Sequence, residues 1–230
     1  MNESAKLQSG IRSPSLEVRR VGCACALRRD RGWGDDEVVF LYSGNLGRGH
    51  VVGPFLEAAR EAAAAGMTGL RWVFSAYGPR LDEVLAFRAA YPGVPLEVIP
   101  PVAADELDAH LASADIHLAS LAPPWSGCMV PSKIQGSFAA GRPVLFVGPA
   151  DSSPAIWIRE SGGGWCVEAD GSAAAGIVRI AAEPGLKADA ARRGGLAHEF
   201  ARREFDRETN IRRIVEALVG EGEVKAGMLK

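Results

Sequence analysis

The sequence predicts an α/β fold, a doubly wound parallel sheet of about six strands with helices on both faces. Three observations predict it. From Glu37 onward, short apolar runs alternate with longer amphipathic ones, the pattern of strand-helix-strand units joined by right-handed crossovers. Several of the apolar runs carry little polar alternation, as strands buried on both faces do. Glycines gather where the first strong run ends, the place where such a sheet turns into its first helix.

Residues 1–36 are polar, glycine-bearing and arginine-rich; apart from "LEVRRVG", which can form one strand, they show no periodicity. They are expected to be a poorly ordered linker or lead-in, trimmed by protease to near Asp35, with the folded domain spanning 37–230. The first strand is "VVFLYS" (38–43), β-branched and aromatic, and a helix-like stretch rich in alanine follows over 52–65. "RWVFSAY" (71–77), a helix at 80–90, "LEVIP" (96–100), a helix at 104–113 and "DIHLAS" (115–120) continue the alternation. Pro131-Ser132 opens a helix at 132–140, and Gly141-Arg142-Pro143 leads into "PVLFVG" (143–148). Asp151-Ser152-Ser153-Pro154 supplies an N-cap and an early proline for a helix at 154–161, before "GWCV" (164–167). Residues 171–219 read as two or three helices rich in Ala, Arg and Glu, broken at Pro184-Gly185 and Gly194-Gly195, packed outside the sheet or reaching to another domain.

Composition narrows the function. In 230 residues, 47% hydrophobic and 23% charged, there is material for one well-buried core. A net charge of -2 leaves no basic excess for a phosphate backbone, and Arg19, Arg20, Arg28, Arg29 and Arg31 form only a local cluster. Nucleic acid is not an expected partner. Four cysteines, two as Cys23-Ala24-Cys25, make neither a disulfide framework nor a zinc site. With no run of 18 apolar residues and no apolar leader, neither a membrane span nor a secretory signal is readable, and a reducing cytoplasm is the expected compartment.

Gly44, Gly47 and Gly49 follow the first strand as G-x-x-G-x-G, which matches neither the dinucleotide fingerprint nor the P-loop. The turn either needs positive φ for its own sake or lets a phosphate approach the backbone, with Arg48 and His50 as donors. Lys133 lies in the first turn of its helix, where the dipole disfavours a cation. An anion beside it gives that placement a purpose. Ser152 and Ser153 read first as helix-capping residues. His117 reads as a satisfied core histidine, His110 and His198 as solvated, Trp125 as loop packing or a pocket wall, and Glu160 as a helix-end surface residue. No nucleophile-base pair can be argued from these histidines.

The succession "VVFLYSGNLGRGH", "PPVAADELDAHLASADIHLAS", "VPSKIQGSFAAGRPVLFVG" and "RESGGGWCVEADG" resembles the C-terminal, nucleotide-sugar-binding half of a GT-B glycosyltransferase, of the group 1 or family 4 type that makes exopolysaccharide and O-antigen. The resemblance spans roughly 37–219, and 8–36 resemble the segment that joins this Rossmann-like half to the N-terminal acceptor half. It implies that the turn Gly44, Asn45, Gly47 and Arg48 closes on the donor diphosphate and that Lys133, with Ser132, holds a phosphate. It places Gly78 beside the donor base and Pro101 and Val102 where backbone reads the base; Ser152 and Ser153, beyond capping their helix, are the remaining candidates for donor contact. Two glutamates eight residues apart, common in relatives, correspond here to Cys128 and Gly136, so ribose recognition is unassigned. The catalytic residues are unknown and no metal is implied. A UDP- or GDP-linked sugar is substrate, not a resident cofactor. The chain is expected to bind donor and to transfer hexose or N-acetylhexosamine only with an N-terminal half or partner chain, in the cytoplasm or at the membrane surface through that partner. The alternatives are a non-catalytic nucleotide-binding or regulatory module, and part of a sugar-nucleotide epimerase.

Overall fold

The computed structural model describes residues 21–219. Its strands are β1 Val38–Asn45, β2 Leu70–Tyr77, β3 Leu96–Ile99, β4 Ile116–Ser120, β5 Val144–Val147 and β6 Gly164–Val167. Its helices are α1 Val21–Asp30, α2 Gly53–Ala64, α3 Leu81–Ala90, α4 Leu107–Ala112, α5 Lys133–Ala139, α6 Ser153–Ser161, α7 Ala173–Ala181, α8 Leu186–Glu204 and α9 Arg207–Val219. All six strands are parallel, in the order β3-β2-β1-β4-β5-β6. The chain winds outward from β1 to β3, returns beside β1 as β4, and winds outward the other way. The predicted α/β class and the position of every predicted strand from 38 to 167 agree with this sheet.

Strand alternation divides the core. Phe40, Tyr42, Trp72, Phe74, Ile116 and Leu118 point to the face covered by α2, α3 and α7. Val39, Leu41, Val73 and Ala114 meet Trp33 on the other face, while Phe146 and Ala119 meet Ile134 and Phe138 of α5, Ile158 of α6 and Phe200 of α8. At roughly 25 cal/mol per Å² of apolar surface removed from water, this two-sided burial is the main favourable contribution to folding. Trp72 shows its fit: it is 1% exposed and stacks on Phe40 with centroids 4.4 Å apart.

Three expectations need correction. Residues 21–36 are not all lead-in: 21–30 are the helix α1, and the segment after it is built into the domain. The Arg28 guanidinium donates to the carbonyls of Ser113 (3.1 Å), Gly34 (2.8 Å) and Glu37 (2.9 Å) and to Asp115 Oδ2 (2.8 Å). Trp33 is 2% exposed and donates its indole N–H to Glu97 Oε2 at 3.1 Å. Of "LEVRRVG", Val21 and Gly22 begin α1; the rest of it, with all of 1–20 and 220–230, lies outside the described residues. Gly194-Gly195 does not break a helix but lies within α8, where a Cβ on Gly194 would come 2.2 Å from the Gly141 carbonyl oxygen. The pair marks a close crossing. His110 is not solvated: it is 0% exposed, with Arg31 donating to its Nδ1 at 3.0 Å. Among the described residues no helix is long and apolar enough to cross a membrane.

Candidate functional site

The ladder between β1 and β4 pairs only Phe40 with Ile116 and Leu41 with His117. Beyond those pairs the two strands part. A cleft of about 480 Å³ opens there, lined from β1 by Ser43, Gly44 and Asn45, from β2 by Tyr77 and from β4 by His117 and Leu118. Leu107 and Leu111 of α4, His50, and the stretch Met129 to Lys133 with Gly136 and Ser137 complete the wall. This is the carboxyl end of the sheet at the point where the winding reverses, where open α/β sheets bind ligands.

Lys133 dominates the cleft's electrostatics. It is half-buried, its ammonium donates to the Tyr42 hydroxyl and, at 3.4 Å, to the Asn45 carbonyl, and it sits 3.7 Å from the centre of the Tyr42 ring. No carboxylate pairs with it among the described residues, and the cleft wall contains neither Asp nor Glu. Burial alone pulls its pKa down from 10.5 to about 7. A cation that has lost part of its water and gained no counter-ion favours an incoming anion.

His50 stands beside it, 6% exposed, with Nδ1 set 2.7 Å from the Ser120 carbonyl, while the Val51 amide donates to Ser120 Oγ at 3.1 Å. Burial first, and the Lys133 charge second, lower its pKa to about 4. The ring is neutral at pH 7, Nδ1 carries the proton donated to Ser120, and Nε2 remains an acceptor. His117 on the floor is likewise held neutral, its pKa lowered to about 3 chiefly by burial, with Nε2 donating to the Leu111 carbonyl at 2.9 Å.

Of the residues picked out in the sequence, Gly44, Asn45, Ser132, Lys133 and His50 meet in this cleft. Gly44 has φ +113°, which L side chains rarely adopt. Gly47 and exposed Arg48 lie in the loop after Asn45 but not on the wall. Gly49 is covered instead: a Cβ there would meet the Met129 side chain at 2.7 Å and Trp125 at 3.1 Å, so Trp125 packs on the loop rather than facing the cleft. Gly78 supports the turn from behind, where a Cβ would strike Asn45 Oδ1 at 2.2 Å. Pro101 and Val102, following β3, and Ser152 and Ser153, at the start of α6, are outside the wall. Ser152 makes no side-chain cap and donates its hydroxyl to the Pro149 carbonyl at 2.6 Å. Tyr42, fully buried in β1, escaped the sequence reading because an apolar strand hides one polar oxygen.

The class follows from sheet order and cleft together: a Rossmann-like α/β domain with an open cleft at its switch point. Among solved structures the chain is similar to WaaG, a glycosyltransferase involved in lipopolysaccharide biosynthesis, at TM-score 0.69 and 13% identity, over 90% of this chain and 54% of that one. It is similar to HepE of Anabaena, solved with UDP-glucose, at TM-score 0.68 and 17% identity, over 88% and 54%. The C-terminal domain of the glycosyl transferase group 1 family protein LpcC from Francisella tularensis matches at TM-score 0.58 and 16% identity, over 77% of this chain and 90% of that domain. No family model and no curated protein sequence matches the chain. What is shared at these identities is the fold, that of one half of a GT-B glycosyltransferase, and the chain spans about half the length of the first structures it matches.

Proposed function

We propose that this chain is the donor-binding part of a glycosyltransferase, holding a nucleoside diphosphate sugar, UDP- or GDP-linked, in the cleft between β1 and β4. The observation that carries it is Lys133, a half-buried ammonium without a counter-ion among the described residues, in a wall free of carboxylates. The likeness to HepE, whose structure contains UDP-glucose, and to an isolated C-terminal transferase domain supports the choice of anion. Asn45 and the amides after Gly44 approach the diphosphate, and Ser132 flanks Lys133. Gly47, Arg48, Gly78, Pro101 and Val102, which lie off the cleft wall, belong to the donor site only as the family resemblance implies, and Ser152 and Ser153, also off the wall, only as candidates.

Transfer of a hexosyl or N-acetylhexosaminyl group breaks the bond between anomeric carbon and diphosphate, so negative charge grows on the leaving oxygens. Lys133 stabilises that charge most when the cleft excludes water. The acceptor and the second wall come from an N-terminal half or a partner chain, in polysaccharide assembly in the cytoplasm or at its membrane surface. Alone, the chain binds donor without transferring it, since orientation worth roughly 7 to 11 kcal/mol in well-aligned reactions is missing.

Titration calorimetry of the purified chain with UDP and with GDP tests this. A charged hydrogen bond is worth about 1.5 to 3 kcal/mol, so Lys133→Ala is expected to weaken the better ligand roughly 10- to 150-fold. Equal affinity of mutant and wild type overturns the assignment of the cleft.

A further inference from the structure

We infer that Tyr42 is a positioning residue of this cleft, fixing the Lys133 ammonium toward the ligand without neutralising it. This rests on the donor-binding reading and deepens it. A carboxylate that orients a lysine also offsets the charge it orients. Here the restraint is a neutral phenol. The Tyr42 hydroxyl accepts from Lys133 Nζ and donates its own proton to the Asn45 carbonyl at 2.9 Å, while the ring face lies 3.7 Å from the same ammonium. A hydroxyl lone pair and a ring quadrupole orient a cation and leave its net charge whole.

The ring that does this cannot wander. It is fully buried, stacked on Phe74 with centroids 5.9 Å apart, and met edge-on by the His50 ring at 6.1 Å. Lys133 starts α5, whereas Asn45 ends β1. One oxygen atom therefore joins the two walls between which a diphosphate enters. Among the described residues the titratable or charged groups facing the pair are His50 from the loop after β1, Arg80 from the residue before α3 and His117 from β4, and of these only Arg80 is charged at pH 7.

Tyr42→Phe keeps the ring, its packing and its face toward the ammonium, and removes only the oxygen. Inorganic pyrophosphate and UDP are the calorimetric probes, with Lys133→Ala as reference, and the Lys133 ammonium is titrated by NMR in carbon-13-lysine-labelled wild type and Tyr42→Phe. Loss of one neutral-acceptor bond is expected to weaken both probes by roughly 2- to 10-fold and to move the Lys133 midpoint to lower pH. A residue serving only the core would change the melting temperature and neither of these readouts, and that result overturns the inference. If Lys133→Ala weakens pyrophosphate while Tyr42→Phe matches wild type in affinity and midpoint, Tyr42 alone is refuted. If Lys133→Ala binds as wild type does, the donor-binding reading falls and takes the Tyr42 role with it.

Discussion

The two ends of the sheet treat charge in opposite ways. At the amino-terminal end, Arg28 and Asp115 are each 9% exposed in their side chains and paired at 2.8 Å, and the second Asp115 oxygen lies 4.0 Å from Lys187. Arg71 bridges Glu37 and Glu97, and Asp115 also accepts the Val39 amide at 2.8 Å. At the carboxyl end, Lys133 has a hydroxyl, a carbonyl and a ring face and, among the described residues, no anion. Burying a paired ion fixes a structure; burying an unpaired one stores an affinity. The first end is where the segment after α1 is tied to the sheet, and the second is where a ligand is expected.

Removing charge should therefore have opposite signs at the two ends. Arg28→Met leaves the Asp115 carboxylate buried without its partner, a change that costs about 3 to 5 kcal/mol, and it cuts the contacts holding residues 30–36. Denaturant unfolding should show the loss, and trypsin should then cleave at Arg29 and Arg31 faster than in the wild type. A loss below about 1 kcal/mol would mean that the amino-terminal pair is no more than a surface contact.

Lys133→Met should stabilise. The folded-state pKa of Lys133 is lowered from 10.5 to about 7 by burial, so between those values the unfolded chain binds more protons and wild-type stability rises with pH. The penalty is fully present below pH 7 and is gone by about pH 10.5. Discounted for the solvent that still reaches this half-buried side chain, the mutant's gain at pH 6 is about 1 to 3 kcal/mol and shrinks toward pH 10. Unfolding curves at the two pH values measure it; a destabilised mutant would show that Lys133 is a structural cation like Arg28.

Acid should act through the buried histidines. His50 and His110 titrate at about 4 and His117 at about 3, each lowered first by burial. Their folded values lie below the ordinary histidine value of 6.5, so stability is lost as pH falls from 6.5 toward 4. Each histidine contributes about 1 to 2 kcal/mol of that loss, on the order of a pKa unit or more apiece. His110→Asn should flatten the fall between pH 6.5 and 4 by one such share, and an unchanged slope would mean that His110 already gains water or a proton in the folded chain.

What the sequence disclosed follows the range of the forces involved. Periodicity and β-branched runs act over neighbouring residues, so all six strands are legible to within two residues, as are the proline before α5 and the break at Pro184-Gly185. That Gly44 and Lys133 line the cleft was also legible, because a glycine turn after a strand and a cation in a helix's first turn are local oddities, whereas Asn45 and Ser132 came only with the family resemblance. Arg28 was not, since its carboxylate partner is 87 residues away and nothing near Arg28 in the chain announces it. Gly194 looked like a breaker because the Gly141 carbonyl that demands it belongs to another segment. The buried state of His110 and the hydroxyl of Tyr42 are likewise products of packing.

The most direct test of an unmet charge at one end and met charges at the other is amide NMR of the nitrogen-15-labelled chain during titration with UDP. The largest shifts should fall at residues 43–50 and 129–137, lining or flanking the cleft, with residues 28–37 and Asp115 unmoved, and Lys133→Ala should suppress them at the same UDP concentration. Shifts centred on Arg28, Glu37 and Asp115, or saturable shifts in the cleft that Lys133→Ala leaves unaltered, would contradict the account.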